Sequence, residues 1–221
     1  ADGWTVVVSG RRKEELERVV SNISGNGGKA EAIALDVSRK GDVVAVAEQI
    51  VSRHGRIDLL VNSAGVNVPK RSWADMELAG WDKLVEINLN GVLYCMHAVL
   101  PTMRRQKDGC IINVASWAGR HVSKMPGPAY TTTKHAVLAL THSFNMDECV
   151  NGLRACAGKF AGKQGYISDT AILKRFRGCL PWIKSLASQV MVPAQRLIEG
   201  GLRFVVIDGS TVQSPGDRKS V

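Results

Sequence analysis

The chain has 221 residues, 45% hydrophobic and 22% charged, a balance that excludes a disordered chain because apolar surface is ample to offset chain entropy. Its 22 glycines show no three-residue period and its five cysteines are sparse and odd in number, so collagen-like and disulfide-framework proteins are excluded too. Lysine and arginine (29) exceed aspartate and glutamate (20), and the resulting net charge of +9 favours an acidic partner without naming one.

Ala1-Asp2-Gly3 carries no initiator Met, basic leader or apolar signal, and reads as the end of a helix with its glycine stop. The expectation is a sequence that opens mid-fold. Trp4-Thr5-Val6-Val7-Val8 is a continuous β-rich run, expected of a strand covered on both faces. Leu16, Val19, Val20 and Ile23 then fall at helical spacing, and Gly25-Asn26-Gly27-Gly28 stops that helix. Ala30 to Leu35 predicts a second strand. Val43, Val44, Ala47, Ile50 and Val51 predict a second helix ended by Gly55, and Ile57 to Val61 a third strand. A long helical stretch follows over about Ala79 to Arg105, then a strand over Ile111 to Val114. A helix over Pro128 to Glu148 and a strand over Leu153 to Ala157 come next, and Phe204 to Gly209 predicts the last strand. Strands alternating with helices predict one α/β domain over 1–221, a mostly parallel sheet with helices on both faces. The longest uncharged run, Ile87 to Met103, carries Asn88, Asn90, His97 and Pro101 and does not predict a membrane span.

Ligands of such sheets bind beyond the carboxyl ends of the strands. The predicted strands are followed by Ser9-Gly10-Arg11-Arg12, Asp36-Val37, Asn62-Ser63-Ala64-Gly65 and Ala115-Ser116-Trp117-Ala118-Gly119. Turn formation explains any one of these; four at one edge favour a binding crevice. Tyr130 and Lys134 stand four apart on a predicted helix, where an ammonium would stabilise a phenolate and fit the phenol for proton transfer. Alone, that spacing equally describes a surface pair worth a few tenths of a kcal/mol. Ser116, a short segment upstream, could reach the same point.

Taken together, Asn62-Ser63-Ala64-Gly65, Ile87-Asn88-Leu89, Ile112-Asn113-Val114-Ala115-Ser116 and Tyr130-x-x-x-Lys134 resemble the short-chain dehydrogenase/reductase family over about residues 1–157. The resemblance implies a doubly wound, Rossmann-like fold and an oxidoreductase that interconverts a hydroxyl and a carbonyl. It implies that Tyr130 exchanges the proton, that Lys134 lowers its pKa and holds the nicotinamide ribose, and that Ser116 orients the substrate oxygen. Asn88 would support a proton-relay water beside Lys134. Asp36 and Val37 would contact the adenine, and Asn62, Ala64 and Gly65 the ribose on the adenosine side. Subunits of the family commonly pair through the two long helices, so a homodimer or homotetramer is expected. The strand over Trp4 to Ser9 resembles the one that reads the adenosine ribose, and Gly10-Arg11-Arg12 follows it with no acid. A guanidinium there would welcome a 2′-phosphate, so NADP(H) is preferred and NAD(H) stays open. The alternative is that Arg11 and Arg12 merely begin a charged helix.

Two departures from the family pattern stand out. The family's first strand and its Thr-Gly-x-x-x-Gly-x-Gly turn have no counterpart, and Gly25 to Gly28 enters a strand rather than a helix. That strand would lie between Trp4–Ser9 and Ile57–Val61, so a gap in the sheet is expected there, with a βα unit of about 30 residues ahead of Ala1. After Ala157, Gln164 to Thr170 is the nearest match to Pro-Gly-x-x-x-Thr, leaving Ile167 and Thr170 as the implied nicotinamide contacts. These departures keep open a non-catalytic relative that has lost cofactor capture. Residues 158–200 are expected to form a substrate lid, and the tail from Ser214 to be loose. Val66 to Met76 and Trp117 to Ala129 would help shape the substrate pocket, with Trp73, Trp117, Met125 and Trp182 suggesting an apolar component. The cysteines read as reduced, buried thiols of a cytoplasmic protein. Scattered basic residues and histidines without ligand spacing predict neither a nucleic-acid partner nor a metal.

Overall fold

The β-branched residues Thr5 to Val8 suit an extended backbone. They form β1 (Thr5–Gly10) in the computed structural model, which describes residues 4–148 and 153–157. Helix α1 (Lys13–Gly25) places Glu14 and Glu15 in its first turn, where acids favour the positive end of the helix dipole, and buries Leu16. Strand β2 (Lys29–Ala34) runs parallel to β1 with Gly10 opposite Ala34. Helix α2 (Lys40–His54) ends on Gly55 at φ 74°, a left-handed cap that glycine adopts without a Cβ penalty. Strand β3 (Leu59–Asn62) leads into α3 (Leu78–Val85).

The predicted long helix is realised as α3, a π-turn over Glu86–Asn90 and α4 (Gly91–Gln106), without a break in the chain's helical path. Strand β4 (Gly109–Asn113), a 3-10 turn over Trp117–Gly119, α5 (Pro128–Glu148) and β5 (Leu153–Ala157) complete the described elements. All strand pairings are parallel, in two ladders ordered β2–β1 and β3–β4–β5. Among the described residues no strand joins β1 to β3, the place where a gap is expected.

The cover expected on both faces of the first strand is not found among the described residues. Strand β1 is not covered on both faces: none of its residues is buried, and Thr5 and Ser9 are exposed. It belongs to a two-stranded ladder, and the α1 helix packed there buries only Leu16. The main core lies around the other ladder, where Val92, Met96, Val99 and Met103 of α4 meet Ile111, Ala115, Val137 and Leu153. A smaller cluster of Leu84, Ala118, Ala129 and Tyr130 is packed by Val66, Val68, Met76 and Trp81. Among the described residues no helix is long and apolar enough to cross a membrane. Cys95 is buried, and burial pushes its thiol up to about 11. The expected lid, the contacts Ile167 and Thr170, the last strand and the tail lie outside the described residues.

Candidate active site

Within each ladder the parallel strands bring their carboxyl ends to one edge, and the candidate residues follow those ends. Beyond β4, Ser116 is extended (φ −157°, ψ 165°) and caps the 3-10 turn, its Oγ accepting from the Ala118 amide at 3.2 Å. Helix α5 supplies Tyr130 and Lys134, 6% and 2% exposed. The Lys134 ammonium donates to the Val114 carbonyl at 3.0 Å, two residues before Ser116, and lies 5.6 Å from the centre of the Tyr130 ring. Burial rules out the reading of these two as an exposed surface pair. In a dry site the attraction between an ammonium and an aromatic ring or phenolate is stronger than in water.

Gly119 explains how the turn and the helix come so close. A Cβ at this position would stand 2.8 Å from the Lys134 carbonyl oxygen, so glycine is what lets the Ser116 segment rest on the turn carrying Lys134. Asn88, fully buried in the π-turn, accepts from the Val66 amide at 2.8 Å. Its own amide donates to the Val66 carbonyl at 2.9 Å and to Thr133 Oγ1 at 3.4 Å. Thr133 in turn donates to the Tyr130 carbonyl at 2.9 Å. Asn88 thus ties the β3–α3 connection to the helix residue preceding Lys134. Short π segments inside helices are frequent at functional sites, and this one carries that clamp.

Beyond β1 and β2, the Leu35 amide bonds the Gly10 carbonyl at 2.9 Å, which sets Arg11 beside Asp36 at the ends of neighbouring strands. Asp36 Oδ1 accepts from both the amide (3.0 Å) and the hydroxyl (2.7 Å) of Ser38. Those bonds, the Ser38 hydroxyl foremost, hold its carboxyl below the usual range against the opposing effect of burial, with help from the Arg11 and Arg39 charges. Val37 packs so tightly on the first turn of α4 that a Cβ on Gly91 would come within 2.8 Å of it. Ala64 is exposed and Gly65 buried.

Asn62, for which the resemblance implies a ribose contact, stands at the end of β3. Its side chain turns into the fold, where Nδ2 donates to Asn113 Oδ1 at 2.8 Å, and its carbonyl accepts from the Val114 amide at 2.8 Å. Asn113, absent from the candidate list drawn from sequence, is the hub: its amide reaches Thr141 Oγ1 at 2.9 Å and Met96 Sδ at 3.4 Å. The sequence signal for it is an asparagine closing each of two predicted strands, and in the structure Asn62 lies opposite Asn113. Among the described residues no group of three side chains is placed to hold a metal ion.

The family model for short chain dehydrogenases matches residues 1–158. The chain belongs to the short-chain dehydrogenase family. An uncharacterized oxidoreductase of Staphylococcus saprophyticus is 36% identical over 152 residues, covering 68% of this chain and 60% of that protein. A 3β-hydroxysteroid dehydrogenase of Mediterraneibacter gnavus is 32% identical over 174 residues, covering 79% of this chain and 60% of its relative. Among solved structures, a metagenomic short-chain oxidoreductase in complex with NADP aligns at TM-score 0.67 and 34% identity, covering 70% of each chain. A gluconate 5-dehydrogenase from Burkholderia cenocepacia, in complex with NADP and tartrate, aligns at 0.63 and 28%, covering 68% of this chain and 59% of that one. The chain spans 60% of the length of these two curated relatives.

The short-chain dehydrogenase site fits a nicotinamide dinucleotide in its donor set. Arg11 and Asp36 stand at the ends of β1 and β2, and Ser116, Tyr130 and Lys134 beyond β4 and on α5. Directly after β1 stand Arg11, Arg12 and Lys13.

Proposed function

We propose that the protein is an NADP(H)-dependent oxidoreductase that interconverts a hydroxyl and a carbonyl. The observation that carries this reading is the burial of Tyr130 and Lys134 together, with Lys134 bonded to the strand end that leads into Ser116. When bound, the dinucleotide supplies or accepts the hydride. Ser116 orients the substrate oxygen and Tyr130 gives it a proton or takes one. Lys134 holds the nicotinamide ribose and favours the phenolate by its charge. Asn88, by fixing Val66 and Thr133, positions the surroundings of Lys134, where a relay water renews the proton.

The adenosine half falls to Asp36, Val37, Ala64 and Gly65, and Arg11 supplies the preference for a 2′-phosphate. Two of the similar solved structures hold NADP, which supports the same choice. The relative named for a hydroxysteroid supports a secondary alcohol or ketone as the reacting group. Subunit pairing through α4 and α5 is supported by a groove of about 230 Å³ between them, where Leu93, Leu100 and Phe144 stand beside Arg104, Asp147 and Glu148. The buried thiol of Cys95 suits a reducing compartment such as the cytoplasm. The test is NADPH-dependent conversion of ketones to alcohols by the full-length protein. Stoichiometric alcohol supports the reading, and bound NADPH with no turnover of any carbonyl or alcohol defeats it.

A further inference from the structure

Trp117 follows Ser116 directly and opens the 3-10 turn that rests on α5. The next residue, Ala118, is buried in the cluster that contains Tyr130. Trp117 itself is 58% exposed, unusual for the largest apolar side chain beside a polar site. It is not left loose. The His121 ring stacks on the indole with centroids 4.7 Å apart and planes 26° from parallel, and the His121 amide bonds the Trp117 carbonyl at 3.1 Å. One face of the indole is thereby fixed.

The loop bearing Trp117 and the β3–α3 connection meet each other. Asn67 donates to the Pro126 carbonyl at 3.1 Å, and Gly127 has no room for a Cβ, which would stand 2.3 Å from the Arg71 carbonyl. Both segments pack on the Tyr130 cluster through Ala118, Val66, Val68 and Met76. They also carry Trp73 and Met125, 79% and 80% exposed. Large apolar groups are thus held on the two segments that flank the reacting groups. A small polar substrate would leave that surface open to water, whereas a flat ring would cover it and complement the indole face.

We infer that Trp117, braced by His121, is a specificity-determining platform that selects carbonyl compounds bearing a flat apolar ring next to the reacting carbon. The inference rests on the oxidoreductase reading and names the substrate class of that same site.

The experiment compares tetralone with butanone in the full-length protein carrying Trp117→Ala or Trp117→Phe. The ratio of kcat/KM for tetralone to that for butanone should fall about tenfold or more in Trp117→Ala, chiefly through KM, and return towards wild type in Trp117→Phe. Tetralone should also quench indole fluorescence in the wild type, and Trp117→Phe should remove that component. An unchanged ratio, or quenching that survives Trp117→Phe, overturns the inference while leaving the oxidoreductase reading intact. An absence of quenching in the wild type overturns it too. Should neither ketone turn over, the quenching decides: loss of the tetralone signal in Trp117→Phe supports the platform, and its persistence or absence in both proteins overturns it.

Discussion

Replacing Asn88 by Ala tests whether the π-turn clamp holds the site together. The side chain has no exposure and satisfies both backbone groups of Val66, at 2.8 and 2.9 Å. Removing it strands a donor and an acceptor in a half-buried loop, at about 1–3 kcal/mol for each. A water entering the vacated polar space would recover part of this, so the expected net loss is about 2–4 kcal/mol. With a urea slope of about 2 kcal/mol/M, the midpoint should fall by about 1–2 M at constant slope. Far-UV circular dichroism against urea reads this directly.

Asn88→Asp sharpens the test. A carboxylate there accepts from the Val66 amide but faces the Val66 carbonyl without a proton, and burial raises its pKa above the unfolded value of about 3.9. Because the folded pKa is the raised one, stability is greatest below the unfolded value and falls as pH rises through the folded value. A wild-type midpoint in Asn88→Ala, together with a pH-independent Asn88→Asp, would refute the clamp.

Gly119→Ala should lower Tm by about 3–8 °C and depress turnover, because the new Cβ meets the Lys134 carbonyl at 2.8 Å and must push the Ser116 segment off α5; thermal unfolding and steady-state rates check both. Ser38→Ala should raise the Asp36 pKa towards the ordinary range, since the Ser38 hydroxyl is the largest cause of its depression, and an NMR titration of the carboxyl reads the change. In the wild type the stability that Asp36 contributes is complete above the unfolded value and is lost as pH falls through the lower folded value, so Ser38→Ala should reduce the amplitude of that acid-side loss. Arg11→Glu should weaken NADPH about tenfold or more relative to NADH in direct binding titrations, and equal effects on the two would remove Arg11 from cofactor choice.

Much of this site was legible in the sequence because chemistry and spacing coincide in short segments. Tyr130 and Lys134 are four apart on one helix, and Ser116 follows a strand, so both local geometry and sheet topology place them at the same edge. The harder features depend on long-range partners. Asn88 reads as a polar residue in a helical run, but its role comes from Val66, 22 positions away, and the π-turn around it has no periodic signature. Asn62 sits in a ligand-edge motif, yet its amide is spent on Asn113, 51 positions on. Strand β1 is apolar enough to be buried, but its cover depends on what packs beside it rather than on its own pattern. The stacking of His121 on Trp117 is likewise a matter of loop conformation, where apolar periodicity carries no information.

The most direct measurement of the central claim is the single-turnover rate of ketone reduction by the full-length Tyr130→Phe protein, with its NADPH affinity determined alongside. If Tyr130 is the proton donor, the rate should fall by about two to four powers of ten while NADPH affinity stays within about threefold of wild type. A Tyr130→Phe protein that reduces the ketone at the wild-type rate would contradict the account.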